Sequence, residues 1–395
     1  MSKPKLTGTT YSMFPIKYAF VIFNLCFIFF LFSCSRNADK STDKSNNNSI
    51  IVDVTKEDKV SIKDFFDKID IIPLETTKES MISKADKVLL HENNYYVLDT
   101  RQKSIIVFDE NGKFKFKIHK VGHGPEEYID INDFVINNFD QTLEAISQRG
   151  QVLKYDLQGK FINSFNLPSP IRAVHYMMPV TKDIIVLYSG YEKDRLSFYS
   201  RSRNKVIKQT RTVPDFVSKH TSLNPLTSPF FTYNNTVCYF EPFSNNVYKV
   251  LEDDIKLKYS WDFGKYNFDF TKLPTDKPRT FYLNEVNPKS DKYALNFMYN
   301  IEDNQHIFTT FIFNKKWKNL IYDKKLKTSQ VFSSFSEGIT FPILQFYEDG
   351  IFTFINPMHL NFLVNEGVLD SDNVKKMKSI KIEDNTVILK YHLKK

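Results

Sequence analysis

Glycine and cysteine are scarce in this chain, and its charged residues form no block of one sign. Of 395 residues, 11 are glycine, 3 are cysteine and 2 are tryptophan. Three cysteines cannot build a disulfide framework. Cys26 lies inside an N-terminal apolar segment and Cys34 at its end, which leaves Cys238 alone in the body of the chain. Its neighbours Val237 and Tyr239 continue a strand-like run that supplies no base or cation, so an inert buried thiol is expected there. No phosphate-cradling glycine loop is present, and neither Gly-x-Ser-x-Gly nor His-Glu-x-x-His occurs. Ser41-Thr-Asp-Lys44 fits a Ser-x-x-Lys pattern but falls in a polar stretch that folds nothing, so it is read as chance. Long amphipathic helical patterns are rare. Lysines alternate with acidic residues throughout, so the formal charge of +8 is spread over solvated faces and turns. No nucleic-acid partner is expected from such a pattern.

What the N-terminus holds is an address. Lys3, Lys5 and Lys17 precede an apolar core over residues 18–33 with no acidic residue before it. That core is roughly 15 residues, short of the about 20 that span a bilayer, and it reads as a secretory signal. It ends on Leu31-Phe-Ser-Cys34, which resembles a bacterial lipobox in which the cysteine accepts the lipid. The division expected is a signal peptide over 1–33, a flexible tether over 34–49, and one folded domain over 50–395. The tether is polar with a single alanine and cannot bury a core. Without the three lysines of the signal, 51 basic residues face 46 acidic ones, a net +5. Ser35 after the cysteine resembles outer-membrane sorting. Arg36, with no acidic run, points to the periplasmic side.

The body is rich in Phe (37) and Tyr (21) and in β-branched residues, which is an all-β composition. Tyr95-Tyr-Val-Leu-Asp99, Ile105-Ile-Val-Phe-Asp109-Glu-Asn-Gly112-Lys and Val121-Gly-His-Gly-Pro-Glu-Glu-Tyr128 read as strands separated by turns and closed by a glycine-proline corner. A degenerate copy follows with Val152-Leu-Lys-Tyr155-Asp-Leu-Gln-Gly159-Lys. Strands ending in an aromatic residue recur at Phe108, Tyr155, Tyr199, Tyr248 and Tyr322, with an insertion after Phe263. Repeats near 45 residues, each made of short strands, are the signature of a β-propeller. Six blades are expected. Ile69-Asp-Ile-Ile-Pro-Leu74 has no blade of its own and is predicted to pair with the C-terminal strand Asn385 to Leu393, which would remove an open sheet edge. The polar stretch 361–378 is expected to hold a short helix.

On these segments the chain resembles the six-bladed β-propeller lipoproteins of Gram-negative gut bacteria, which are related in shape to NHL-type propellers. The resemblance is carried by Ile72-Pro-Leu-Glu-Thr76, by Phe108-Asp-Glu-Asn-Gly-Lys113 with the corner to Tyr128, and by Asp384-Asn-Thr-Val-Ile-Leu389. It implies an envelope-bound propeller within glycan-uptake systems and carries over no catalytic residues.

The candidate ligand-binding residues are Arg101, His123, Glu126, Arg149, Tyr191 and Arg195. Arg101, Arg149, Tyr191 and Arg195 are placed in loops between the first two strands of successive blades, on one face of the ring. Arginine suits carboxylates and tyrosine suits sugar faces. His123 and Glu126 lie in the corner, whose Gly122 and Gly124 are read as adopting backbone angles closed to other residues, although glycine N–H groups there would also suit an anion. His119 and His123 are four apart, but strand and glycines break the zinc geometry that a helix gives this spacing. No catalytic residue, cofactor or metal ligand is assigned. An axial calcium or zinc held by residues such as Asp99, Asn132 and Asp133 is the alternative, each of these being equally a turn-capping residue. Two functions follow. One is a non-catalytic binding or scaffold module for a glycan, peptide or envelope protein, held to the membrane by its lipid. The other is a propeller enzyme of lyase or lactonase type, with its site in the central channel. Cys34→Ala is expected to release the protein from membranes or leave an unprocessed precursor. Membrane fractionation with a mass measurement checks this, and a processed, membrane-bound variant would refute the anchor.

Overall fold

The structure, a computed structural model, describes residues 48–169, 171, 173–190, 192–212, 227–241, 244–269, 274, 276–277, 281, 292–294, 299–340, 345–347 and 350–394. The chain opens with β1 (Ser49–Ile51) and β2 (Phe66–Pro73). Blade one is β3 (Lys87–His91), β4 (Asn94–Asp99), β5 (Ser104–Phe108) and β6 (Phe114–Ile118). Blade two is β7 (Asp133–Asn137), β8 (Thr142–Ile146), β9 (Gln151–Asp156) and β10 (Phe161–Asn166). Blade three is β11 (Val174–Pro179), β12 (Ile184–Ser189), β13 (Asp194–Ser200) and β14 (Lys205–Thr212). Blade four is β15 (Phe230–Tyr233), β16 (Thr236–Phe240), β17 (Asn246–Val250) and β18 (Ile255–Asp262). Blade five is β19 (Asn300–Glu302), β20 (His306–Phe313), β21 (Lys316–Asp323) and β22 (Thr328–Phe332). Blade six takes β23 (Gln345–Tyr347), β24 (Gly350–Ile355) and β25 (Val387–Leu393), with β2 as its outer strand. The result is a six-bladed β-propeller, with the first strand of each blade innermost.

Local chemistry explains the strands and turns. β5 is Ser-Ile-Ile-Val-Phe and buried throughout. It ends in a turn where the Asp109 carboxylate accepts the N–H groups of Asn111 (2.9 Å) and Lys113 (2.8 Å), with Gly112 at φ 80°. The degenerate copy repeats this. Asp156 accepts from Gln158 (3.0 Å) and Lys160 (2.8 Å), with Gly159 at φ 84°. The recurring aromatics Phe108, Tyr155, Tyr199, Tyr248 and Tyr322 sit on the third strands β5, β9, β13, β17 and β21, and Tyr391 on β25 completes the set.

Blades one and two begin one strand earlier than the sequence suggested. In blade one, β3 joins β4 through Glu92 and Asn93, both at positive φ (45° and 61°) without a glycine to mark them. The loops carrying Arg101 and Arg149 therefore link second to third strands, not first to second. In antiparallel blades that puts them at the opposite end of the ring from the first turn.

The N-terminal segment is a strap. β1 adds to β18 in parallel, with Ser49 opposite Ser260. Val52 and Val54 are buried against blades four and five, and Val60, Ile62 and Phe65 between blades five and six. Asp58 exchanges hydrogen bonds with the Val331 backbone, both at 2.8 Å. The chain then enters β2, which runs antiparallel to β25 with Ile71 opposite Leu389. A helix, α1 (Ser371–Ser379), packs over the join, capped by Asp370. It lies across the end of the stretch where a short helix was expected.

Asn373 of α1 fastens that join. Its side chain accepts the Ile71 N–H (2.8 Å) and donates to the carboxylates of Asp70 (3.1 Å) and Asp370 (3.0 Å). Asp70 also meets His392 of β25 at 2.7 Å. Burial pushes the Asp70 carboxyl up, but hydrogen bonds from Lys68, His392 and Asn373 outweigh it and hold it at about 2, against an ordinary 3.8. A depressed native pKa means stability that is complete above the unfolded value and lost as pH falls from about 3.8 towards 2. Acid titration of wild type and Asp70→Asn should show that loss only in wild type. Asn373→Ala leaves the Ile71 N–H unsatisfied and should lower unfolding stability by about 1–3 kcal/mol, read by denaturant melts.

Candidate functional site

The inner strands β3, β7, β11, β15 and β19 surround an axial cavity of about 1090 Å³. Leu89, Val135, Met178 and Val237 form the apolar part of its wall, and Lys87 lines it at the start of β3, away from the first turn. Its mouth lies at the first turns of the blades, where the exposed amides Asn138, Asn234, Asn235 and Asn304 gather. Asn234 and Asn235 are there for a backbone reason. Both adopt positive φ (47° and 55°), which asparagine tolerates in a two-residue hairpin turn. Beside them Phe139 is half exposed, at 50%.

The cavity wall contains charge, and that charge is matched within the wall. Lys87 bonds Asp133 at 2.6 Å and the Phe134 carbonyl at 2.7 Å, and Asp133 also accepts the Met177 N–H at 2.9 Å. Burial pushes the Asp133 carboxyl up, and the Lys87 ammonium opposes it. Glu302 is paired by both Lys258 and Lys324, the latter at 2.5 Å. Both ammonium groups also lie over the Tyr233 ring, at 4.3 and 4.0 Å from its centre. Asp303 accepts the N–H groups of Gln305 and His306, and its carboxylate stands 3.6 Å from His306 Nδ1. Burial raises the Asp303 carboxyl, but these donors outweigh it and hold it below its ordinary value. His306 packs edge-on against Phe65. Cys238 has the cation that the sequence did not show: Lys258 Nζ lies 3.7 Å from its sulfur. Burial nevertheless pushes the thiol up, towards the inert form.

The residues proposed from sequence stand elsewhere. Arg101 and Arg149 are exposed in the β4–β5 and β8–β9 turns, at the end away from the cavity mouth. His123 and Glu126 are exposed in the β6–β7 corner at that same end, with Glu126 3.9 Å from Lys120. Arg195 is not a loop residue. It lies on β13, 2% exposed, with Nη1 donating to the Ser189 carbonyl at 3.3 Å. Tyr191 and Cys34 fall outside the described residues. Asp99 ends a second strand and serves as a turn cap, accepting the N–H groups of Ser83 (2.6 Å) and Gln102 (2.9 Å). Asn132 bonds the Val174 carbonyl at 3.0 Å, which leaves Asp133 as the member of that trio on an inner strand. Among the described residues no three His, Cys, Asp or Glu side chains converge as metal ligands.

The glycine corner also works differently from the reading of its backbone. Neither Gly122 nor Gly124 has positive φ. Their role is space, since a Cβ at Gly122 would run into the Glu127 carboxylate. That carboxylate accepts the Gly124 N–H at 2.7 Å, so the corner supplies its own anion.

The family model described as "Domain of unknown function (DUF4934)" matches residues 48–392. The chain belongs to the DUF4934 family. Its fold is similar to that of a supposed exported protein from Bacteroides fragilis NCTC 9343, at 17% identity and a TM-score of 0.67, over 88% of this chain and 100% of the other. It is also similar to a DUF4221 family member from Bacteroides vulgatus ATCC 8482, at 12% identity and a TM-score of 0.51, over 86% of this chain and 99% of that one. At these identities the likeness is one of fold alone. No curated protein is significantly similar to this chain.

In the DUF4934 propeller the wall residues Lys87 and Glu302 carried no sequence signal beyond their type, because their partners Asp133, Lys258 and Lys324 come from other blades or distant strands, whereas Asp303 caps its own turn through Gln305 and His306. Glu302→Gln leaves two ammonium groups in a largely buried wall with one carboxylate fewer. It should destabilise the fold by about 2–4 kcal/mol, read by urea unfolding. Lys324→Ala, which leaves the Lys258 pair in place, should cost less.

Proposed function

We propose that this DUF4934 protein is a lipid-anchored, non-catalytic binding module of the cell envelope that takes its ligand in the axial cavity. The cavity carries the reading. It is large, open at the first-turn end, and lined by apolar side chains with a limited set of polar groups, which is the composition of ligand sites. Its ionic groups are engaged with one another and act as structure. The envelope address rests on the signal-like segment and on Cys34, with the supposed export of the Bacteroides fragilis relative in fold as support. The tether residues suit an outer-membrane lipoprotein facing the periplasm, with an envelope glycan, peptide or protein as the natural partner.

One observation favours the enzyme alternative. Asp303 and His306 stand together in the cavity wall with the carboxylate 3.6 Å from the imidazole Nδ1, and closing that gap to a hydrogen bond would let the pair move a proton. Among the described residues lining the cavity, no serine or cysteine stands with them.

Thr232 is exposed on the cavity lining, and a tryptophan there would put a large ring into the cavity and obstruct it. Binding to the folded state raises the melting temperature by mass action. Ligands from a panel of glycans and peptides that stabilise the detergent-solubilised full chain should lose that effect in Thr232→Trp. They should keep it in Arg101→Ala and Arg149→Ala. The opposite pattern would move the site to the other face and overturn the reading. A ligand recovered chemically changed, with the change abolished in His306→Ala, would establish the enzyme instead.

A further inference from the structure

We infer that the axial cavity takes a neutral saccharide, the end of an oligosaccharide chain, in preference to any charged ligand. The inference rests on the cavity being the binding site and names what enters it.

The first argument is electrostatic. At one side of the wall Glu302 is paired by two ammonium groups, Lys258 and Lys324, and Lys324 also donates to the Asp303 backbone carbonyl, so with the Asp303 carboxylate beside them the cluster carries no net charge. At another, Lys87 is matched by Asp133. Lys87, Lys258, Lys324 and Glu302 each have an ionic partner at contact distance, and the Asp303 carboxylate is held by the N–H groups of Gln305 and His306. A charged ligand would lose its own hydration on entry and would meet no uncommitted charge in those clusters. Recruiting one would require breaking a desolvated pair, which is costly. At the rim Asp64 and Lys394 are both exposed and of opposite sign, so they select neither anion nor cation.

The second argument is chemical. The groups offered at the mouth are amides, and each amide presents both donors and an acceptor. A sugar hydroxyl likewise donates and accepts, so the match needs no net charge on either side. Phe139 adds a half-exposed ring at the same mouth, and Leu89, Val135 and Val237 line the interior. The two faces of a pyranose are C–H surfaces that pack on such rings and apolar walls. The volume of about 1090 Å³ exceeds that of most small-molecule pockets, about 300–1,000 Å³, which leaves room for more than one ring.

The test is isothermal titration of the detergent-solubilised full chain with four probes of matched length: maltohexaose and xylohexaose as neutral sugars, hexagalacturonate as the anion, and a neutral asparagine-glycine hexapeptide. A neutral hexasaccharide should bind at least tenfold tighter than hexagalacturonate, with an affinity unchanged between 50 and 300 mM salt, because no ion pair forms. Phe139→Ala, and Asn235→Gly, which keeps the positive-φ turn, both lie at exposed positions and should each weaken it severalfold or more. Tighter binding of the uronate, a steep salt dependence, preference for the peptide, or no binding of either neutral sugar at millimolar concentration overturns the inference. The cavity reading fails separately, when binding of whichever probe is seen survives Thr232→Trp.

Discussion

Closure of the ring between β2 and β25 is the constraint on which the rest of the molecule depends. A propeller of open sheets would leave two unpaired edges, and exposed edges recruit other chains. Here the outer strand of blade six comes from residues 66–73 and its neighbour from residues 387–393, so the chain ends are held by a full ladder of backbone hydrogen bonds. Side chains lock the same seam. The Asn385 N–H bonds Thr76 Oγ1 at 2.8 Å, and its side chain bonds the carbonyls of Glu75 (2.8 Å) and Ser80 (2.9 Å). Glu75 in turn accepts the Phe114 N–H at 2.9 Å, tying blade six to blade one. Every inner strand takes its distance from the axis from this closure, so the cavity exists only in the closed ring.

That dependence explains why so much charge is tolerated at the centre. Lysines and carboxylates on inner and neighbouring strands come from positions as far apart as Lys87 and Asp133, or Lys258 and Glu302. They can neutralise one another only when adjacent blades are in register. A slipped blade would strand a buried ion, which is far more costly than a lost apolar contact. The wall pairs therefore give specificity to blade packing. They also set the electrostatic character of the cavity, because charges committed to one another across blades are withdrawn from any ligand.

The architecture was legible in sequence where a turn or a period carried it. Asn111-Gly112 and Gly159 mark third turns by backbone angles that glycine favours, and the aromatics from Phe108 to Tyr322 mark third strands. The closing strand was legible because a hydrophobic stretch at each end of the chain had no partner nearby. The inner strands were not. Glu92-Asn93 and Asn234-Asn235 make their turns without glycine, and β19 is only three residues long. Missing those strands displaced the loop assignment by one turn, so the loops of Arg101 and Arg149 stand at the end away from the cavity mouth. Arg195 shows the same limit at one residue. Its charge argued for a solvated loop, yet tertiary packing holds it in a strand. A cavity assembled from five separated strands has no spacing to recognise, and neither has an ion pair that bridges blades.

The division of labour between wall and rim has a consequence for how such a site can change. The wall pairs are bound to blade register, so substitutions there are paid in stability first. The rim is different. Asn234 and Asn235 are required to be turn formers and Phe139 is half exposed, so their side chains contribute little to the core. Hairpin turns accept asparagine, aspartate or glycine at positive φ, and exchanges among these preserve the backbone while altering what the mouth offers. Aspartate in place of Asn235 would keep the turn and add an uncommitted negative charge to an otherwise matched site, shifting preference towards cations. What the mouth presents can therefore vary across one propeller frame through a few turn residues, with the closed ring and its paired wall held constant.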